Sequence, residues 1–245
     1  MKNSSIASTD AIFAAAPVAL PRSYRMSAKG ARGEIYLYGD VGDEWFGGVT
    51  AKQFADDLKA LGAVSDIDLR INSYGGNVFD GLSIYRLLVE HKARIVVHVD
   101  GVAASIASII AMAGDEIRIA EAGQMMIHNA WGIGIGEASD LRRMADLLDT
   151  TTASLRDVYV ARTGMDADEV SRLMDAETWF PASEAVEKGF ATTVAENLRI
   201  AAKFDPSKHR FRNAPTAVVG TPNADAMRDR IARMKVKMQR QRRAV

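Results

Sequence analysis

Val99-Asp100-Gly101-Val102-Ala103-Ala104-Ser105-Ile106-Ala107-Ser108 joins two patterns of different period. Upstream, Arg94-Ile95-Val96-Val97-His98-Val99 is rich in β-branched residues and reads as a strand. Downstream, the run from Ile106 to Ala113 is apolar and uncharged, and reads as helix-like. The residues between are small, so another backbone can approach closely. A strand that passes straight into a helix is the repeating step of an α/β fold.

Outward from this junction the same step recurs. Glu34-Ile35-Tyr36-Leu37-Tyr38 reads as a strand closed by Gly39-Asp40. Thr50 is placed to cap a helix reaching about Leu61, with Phe54, Leu58 and Leu61 at helical spacing. Ile67 to Ile71 predicts the next strand, entering Asn72-Ser73-Tyr74-Gly75-Gly76, and a helix follows through Leu82, Tyr85, Leu87 and Leu88. Short strands are expected near Glu116–Ile119 and Met125–His128, then a loop over Gly132–Gly136. A long amphipathic helix from about Glu137 to Arg162 carries Leu141, Met144, Leu148, Leu155 and Val158 on its apolar side. The alternation implies an α/β domain with mainly parallel strand pairing.

The 245 residues suffice for one substantial domain with appendages, here read as an arm over 1–33, a core domain over 34–197 and a tail over 198–245. The absence of cysteine excludes disulfides and thiolate zinc sites, and no run approaches the length of a membrane span. The apolar stretch Ala11 to Leu20 follows Asp10 and contains Pro17, and reads as a flexible or docking arm rather than a signal peptide. Net charge is zero, yet residues 201–245 hold 12 Lys/Arg against Asp205, Asp225 and Asp229. An acidic body therefore carries a basic tail, expected to be partly disordered or helical, with a basic helix through Met227, Ile231, Met234 and Met238.

A serine hydroxyl becomes a useful nucleophile when a base takes its proton and a third group orients that base. The developing oxyanion needs preorganised N–H donors. Ser105, at the start of a helix-like run, His128 in Met125-Met126-Ile127-His128-Asn129-Ala130, and the Gly75-Gly76 loop are candidates for these parts. Each alone has an ordinary explanation: a packing contact, a core histidine, a turn.

Together and in this order they resemble the ClpP peptidase family. Ile71 to Gly76 looks like its glycine loop, with Tyr74 where proline is usual. Gly101 to Ser108 is similar to its nucleophile segment, Met126-Ile127-His128 to its histidine segment, and Gly132 to Arg162 to its handle. Trp179-Phe180-Pro181-Ala182-Ser183-Glu184-Ala185-Val186-Glu187-Lys188-Gly189-Phe190 is similar to its closing motif. The resemblance, over about residues 34–195, implies a ClpP/crotonase-like fold of repeated β-β-α units with a protruding handle helix.

It further implies a serine endopeptidase with Ser105 as nucleophile, His128 as general base, and Gly76 with the Ile106 N–H as oxyanion hole. The third member falls on Glu177, where the family has aspartate, with Asp175 as the alternative. Substrate would add as a strand beside Asn77 and Val78 and beside Trp131 and Gly132, and no cofactor or metal is called for. A homo-oligomeric ring is implied, with an ATPase partner possible but not required.

The first segment, through Trp45-Phe46-Gly47-Gly48-Val49-Thr50, and the Glu177-Thr178-Trp179 triplet look like the ClpP-like enzymes of tailed phages and prophages. That likeness implies processing of scaffold or capsid proteins in head maturation, in the cytoplasm of a bacterial host. The tail would then contact scaffold, capsid or nucleic acid. Other readings are an ATP-dependent Clp-type subunit, a non-catalytic assembly protein, and crotonase-type acyl-CoA chemistry, which needs no serine at Ser105.

Overall fold

The computed structural model describes residues 24–42, 48–195, 211–213 and 215. Trp45 and Phe46, the apolar stretch at 11–20 and the expected tail helix lie outside them.

Eight strands and six helices alternate along these residues: β1 (Tyr24–Lys29), β2 (Arg32–Tyr38), α1 (Ala51–Leu61), β3 (Asp66–Ser73), α2 (Val78–Val89), β4 (Arg94–Ala104), α3 (Ile106–Ala111), β5 (Glu116–Ala120), β6 (Gln124–Ile127), α4 (Ala138–Thr163), α5 (Ala167–Asp175), β7 (Thr178–Pro181), α6 (Ala182–Glu187) and β8 (Thr193–Ala195). The strand order β1-β2-β3-β4-β5-β8 is parallel apart from the β1–β2 hairpin. The fold is α/β, as expected. β1 falls inside the segment read as an arm, which showed no strand pattern of its own.

Period-two alternation builds the core. Ile35 and Leu37 on β2, Ile67, Leu69 and Ile71 on β3, Ile95, Val97 and Val99 on β4, and Ile117 and Ile119 on β5 are all buried in one cluster. Phe54 and Leu58 of α1 and Ile84 and Leu88 of α2 pack against them. Thr50 caps α1 as anticipated, accepting from the Gln53 N–H at 3.2 Å. The opposite sheet face carries polar pairs, including Arg32–Asp68 at 2.8 Å and the Arg70–Asp100 pair, to which Tyr38 also donates at 2.6 Å.

One strand positions the site. β4 runs longer than its hydrophobic pattern suggested, reaching Ala104, and it forks. Val96–Val99 pairs with β5, whereas Val102–Ala104 pairs with β6, which then pairs antiparallel with β7. The small residues Gly101 to Ala104 are thus strand, and Gly101 faces Asn72, whose Oδ1 would lie 2.6 Å from an added Cβ. Asn72 Oδ1 instead accepts from the Val102 N–H, fixing the bend at the fork.

α4 has 26 residues and a capping box at Glu137 and Asp140. It is buried only along Thr151, Leu155 and Tyr159, spaced four residues apart. Its first half and the preceding loop lie bare, with Ile133, Ile135, Leu141 and Leu147 exposed.

Candidate active site

Ser105 is the single residue between β4 and α3. It holds φ 55° and ψ −131°, in the positive-φ region that side chains avoid. Such a conformation costs about 1–3 kcal/mol and persists only where the surroundings impose it. Here they do: the Ser105 N–H donates to Met126 O at 3.0 Å, and its carbonyl accepts from Ser108 Oγ at 2.6 Å. Ser108 Oγ also lies 3.0 Å from Met126 O and 2.8 Å from the buried Tyr159 hydroxyl. α3 proves to be six residues long, so its contribution is individual amides rather than a long helix dipole.

His128 follows β6, the strand that borders the end of β4. Its Nε2 lies 2.7 Å from Ser105 Oγ. Burial pushes the imidazole below its ordinary pKa; the nearby Glu177 carboxylate opposes this and the Arg212 cation adds to it. The neutral ring that can accept a proton is thereby favoured at neutral pH.

The glycine loop meets both. Gly75 holds φ 98° and an added Cβ would fall 2.8 Å from Ser105 Cβ. Gly76 holds φ 146° and an added Cβ would fall 2.0 Å from Val41 O. Val41 takes up the peptide groups on either side, donating to Gly75 O at 2.9 Å and accepting from the Asn77 N–H at 2.8 Å. Because the C=O and N–H of one trans peptide group point in opposite directions, the Gly76 N–H is turned away from Val41. Gly76 and Ile106 line one small cavity, about 90 Å³, with Ser105, His128, Val78 and Trp131. Neither the Gly76 nor the Ile106 amide has an acceptor among the described residues.

Not every expected substrate contact lines that cavity. Asn77 caps α2, its Oδ1 accepting from the Phe79 and Asp80 amides, so its side chain is already committed. Val78 is the first residue of α2, which leaves Gly76 as the extended backbone of that stretch. Gly132 packs instead against Met144 of α4, whose Cε would lie 2.6 Å from an added Cβ. Trp131 lines the cavity while half exposed.

The two candidate acids part company. Asp175 is exposed and its Oδ1 accepts from Asn129 Nδ2 at 2.7 Å. Glu177 is 2 % exposed and sits at φ 50° in the turn between α5 and β7. Its Oε1 accepts from the Asn213 N–H at 2.7 Å, and Arg212 Nε stands 3.9 Å from Oε2. Among the described residues no hydrogen bond joins Glu177 to His128; the link is electrostatic.

Sequence reasoning missed Ser108, Tyr159 and the segment Phe211–Asn213. Tyr159 had a signal, since it continues the four-residue spacing of Thr151 and Leu155. The 211–213 segment had none, lying within a basic tail. Among the described residues no cluster of three or more His, Asp or Glu is arranged to hold a metal, and no helix is long and apolar enough to cross a membrane.

Residues 24–198 match the family model described as Clp protease. The chain is 31% identical over 170 residues to the ATP-dependent Clp protease proteolytic subunit 1 of Leifsonia xyli subsp. xyli, covering 69% of this chain and 85% of the relative. It is 33% identical over 173 residues to proteolytic subunit 3 of Streptomyces coelicolor, covering 67% and 76%. Proteolytic subunit 3 of Rhodococcus jostii is 31% identical over 170 residues, with 67% and 81% covered. The chain belongs to the Clp protease family and is a serine-type peptidase.

Proposed function

We propose that this family member is an endopeptidase in which Ser105, His128 and Glu177 act as nucleophile, general base and orienting acid. The 2.7 Å approach of His128 Nε2 to Ser105 Oγ carries the reading. Ser105 Oγ attacks the scissile carbonyl carbon and its proton passes to His128 Nε2. The carbonyl oxygen, now negative, meets the unpaired amides of Gly76 and Ile106. His128 returns the proton to the leaving amine, and the acyl-enzyme remains on Ser105. Water then attacks the ester as His128 takes its proton, and His128 returns that proton to Ser105 Oγ as the carboxylic acid product leaves. Substrate lies extended beside Gly76 and the Trp131–Ile133 stretch.

A fluorophosphonate probe tests this directly. Wild-type protein should label covalently and Ser105→Ala should not. A correctly folded wild type that stays unlabelled would overturn the assignment. The Ser105–His128 contact also counts against the crotonase-type and non-catalytic readings, neither of which requires it.

The biological setting we propose is processing of scaffold or capsid proteins in phage head maturation, by a homo-oligomeric ring in a bacterial cytoplasm. The Glu177-Thr178-Trp179 triplet and the basic tail support it. The bare apolar face of α4 supports assembly. A second reading, the ATP-dependent proteolytic subunit, is favoured by the names of the relatives. Gene neighbourhood separates them: portal and capsid genes alongside favour the first, an unfoldase gene the second.

A further inference from the structure

The glycine loop and the acid position differ from the family pattern at Tyr74 and Glu177, and both residues touch the same short segment. Phe211 sets its ring 5.7 Å from that of Tyr74 and 6.3 Å from the His128 imidazole, both tilted, and edge-on to Trp179 at 5.2 Å. Tyr74, Val102, Ala104 and Met126 form a small apolar cluster separate from the main core, and Phe211 and Trp179 pack onto it. The next two residues reach the acid. Arg212 donates from Nη2 to Asp175 O at 3.1 Å and holds its Nε 3.9 Å from Glu177 Oε2. Asn213 donates its N–H to Glu177 Oε1 at 2.7 Å and its Nδ2 to Ala176 O at 2.6 Å.

A buried carboxylate needs donors. Within the described residues the Glu177 carboxylate accepts its one hydrogen bond from Asn213, a residue 36 positions further along the chain. That bond fixes Oε1, while Oε2 has no hydrogen bond among the described residues and stands 3.9 Å from Arg212 Nε. From these contacts we infer that Phe211–Asn213 form a strap that completes the acid side of the catalytic centre, with Arg212 and Asn213 as positioning residues for Glu177. Phe211 covers the imidazole, Asn213 sets the rotation of the carboxylate, and Arg212 pins the turn that carries it. The inference rests on the triad reading of Ser105, His128 and Glu177. Tyr74 and Glu177 are then one paired departure: the strap supplies a ring for the first and a donor for the longer second.

The charged groups that face His128 are Glu177, from the turn before β7, and Arg212, from the strap; Asp175 is engaged with Asn129. The test uses the full chain with Arg212→Ala, Arg212→Lys and Asn213→Pro, the last removing the donated N–H. Side-chain truncation at Arg212 is mild for the fold, since that side chain is 66% exposed. Arg212→Ala and Asn213→Pro should each lower kcat roughly 10–100-fold with KM little changed, as expected when a reacting group is misplaced by a fraction of an ångström. Arg212→Ala should also move the acidic limb of the pH profile upward, because the cation that lowers the His128 pKa is gone. Arg212→Lys should return the limb toward wild type. A wild type that labels with fluorophosphonate and hydrolyses peptide, beside folded Arg212→Ala protein of unchanged or raised kcat, overturns the strap and leaves the triad standing. A folded wild type that never labels overturns both.

Discussion

Ser105 and Glu177, 72 residues apart, are the two non-glycine positions held at positive φ among the described residues, at 55° and 50°. Both belong to the proposed triad, and neither conformation is one that its side chain prefers. The strain sits where chemistry needs a side chain aimed out of a regular element. Ser105 leaves the end of a strand, and Glu177 leaves a helix end.

The strain at Ser105 is separable from its hydroxyl. Ser105→Gly and Ser105→Ala both remove the nucleophile, but only glycine relieves the backbone. Ser105→Gly should be the more stable by about 1 kcal/mol, the cost of a Cβ in left-handed backbone. That difference corresponds to a melting temperature roughly 2–4 °C higher for a domain of this size. Thermal melts in which the alanine variant equals or exceeds the glycine variant would show the backbone at Ser105 to be unstrained.

Burial separates the two candidate acids of the proposed triad. Glu177→Gln should cut turnover by roughly 10²–10⁴, the range seen when a triad's orienting acid is neutralised. Asp175→Asn removes an exposed carboxylate and should leave turnover near wild type. Steady-state peptide hydrolysis by the two variants checks this, and equal mild losses would remove Glu177 from the mechanism.

Activity should rise with pH along a limb set by His128, because the ring must be neutral to accept the serine proton. Burial lowers that pKa, so the limb should fall below the ordinary imidazole value of about 6.5. Glu177 favours the charged ring, so Glu177→Gln should move the limb lower still in whatever activity survives. Profiles of kcat/KM against pH for the two proteins measure both shifts, and an upward movement for Glu177→Gln would contradict the arrangement.

Gly76→Ala should abolish fluorophosphonate labelling. A Cβ there would fall 2.0 Å from Val41 O, and φ 146° is closed to alanine at low cost. The loop must move, taking the Gly76 amide with it. Normal labelling of this variant would remove Gly76 from the oxyanion site.

Much of this was legible in the chain. The alternation through Ile35, Ile67, Ile71, Val97 and Val99 follows directly from a half-covered sheet, and Thr50 from helix capping. Ser105 and His128 were legible through the order of their motifs, since neither is distinctive alone. The fork in β4 was hidden, because Gly101-Val102-Ala103-Ala104 has a composition that suits turn, strand or helix, and only pairing with β6 decides. Glu177 could be named, but its burial could not be read, because a glutamate beside Asp175 at a helix end looks solvated. The donor it meets there is Asn213, a contact of long sequence separation with no local periodicity. Asn77 was read for its place after the glycine loop, beside which substrate would add as a strand; that its side chain caps α2 was not read from the sequence.

The fork in β4 has a bearing on the safety of the newly made chain. Ser105 leaves the ribosome 23 residues before His128 and 72 before Glu177, so the nucleophile exists for a time without its base. Its backbone geometry is imposed by the Met126 carbonyl, which arrives only when β6 zips against the last residues of β4. In the proposed triad, a chain whose β6 has not yet paired with β4 holds neither the base nor the backbone geometry of its nucleophile.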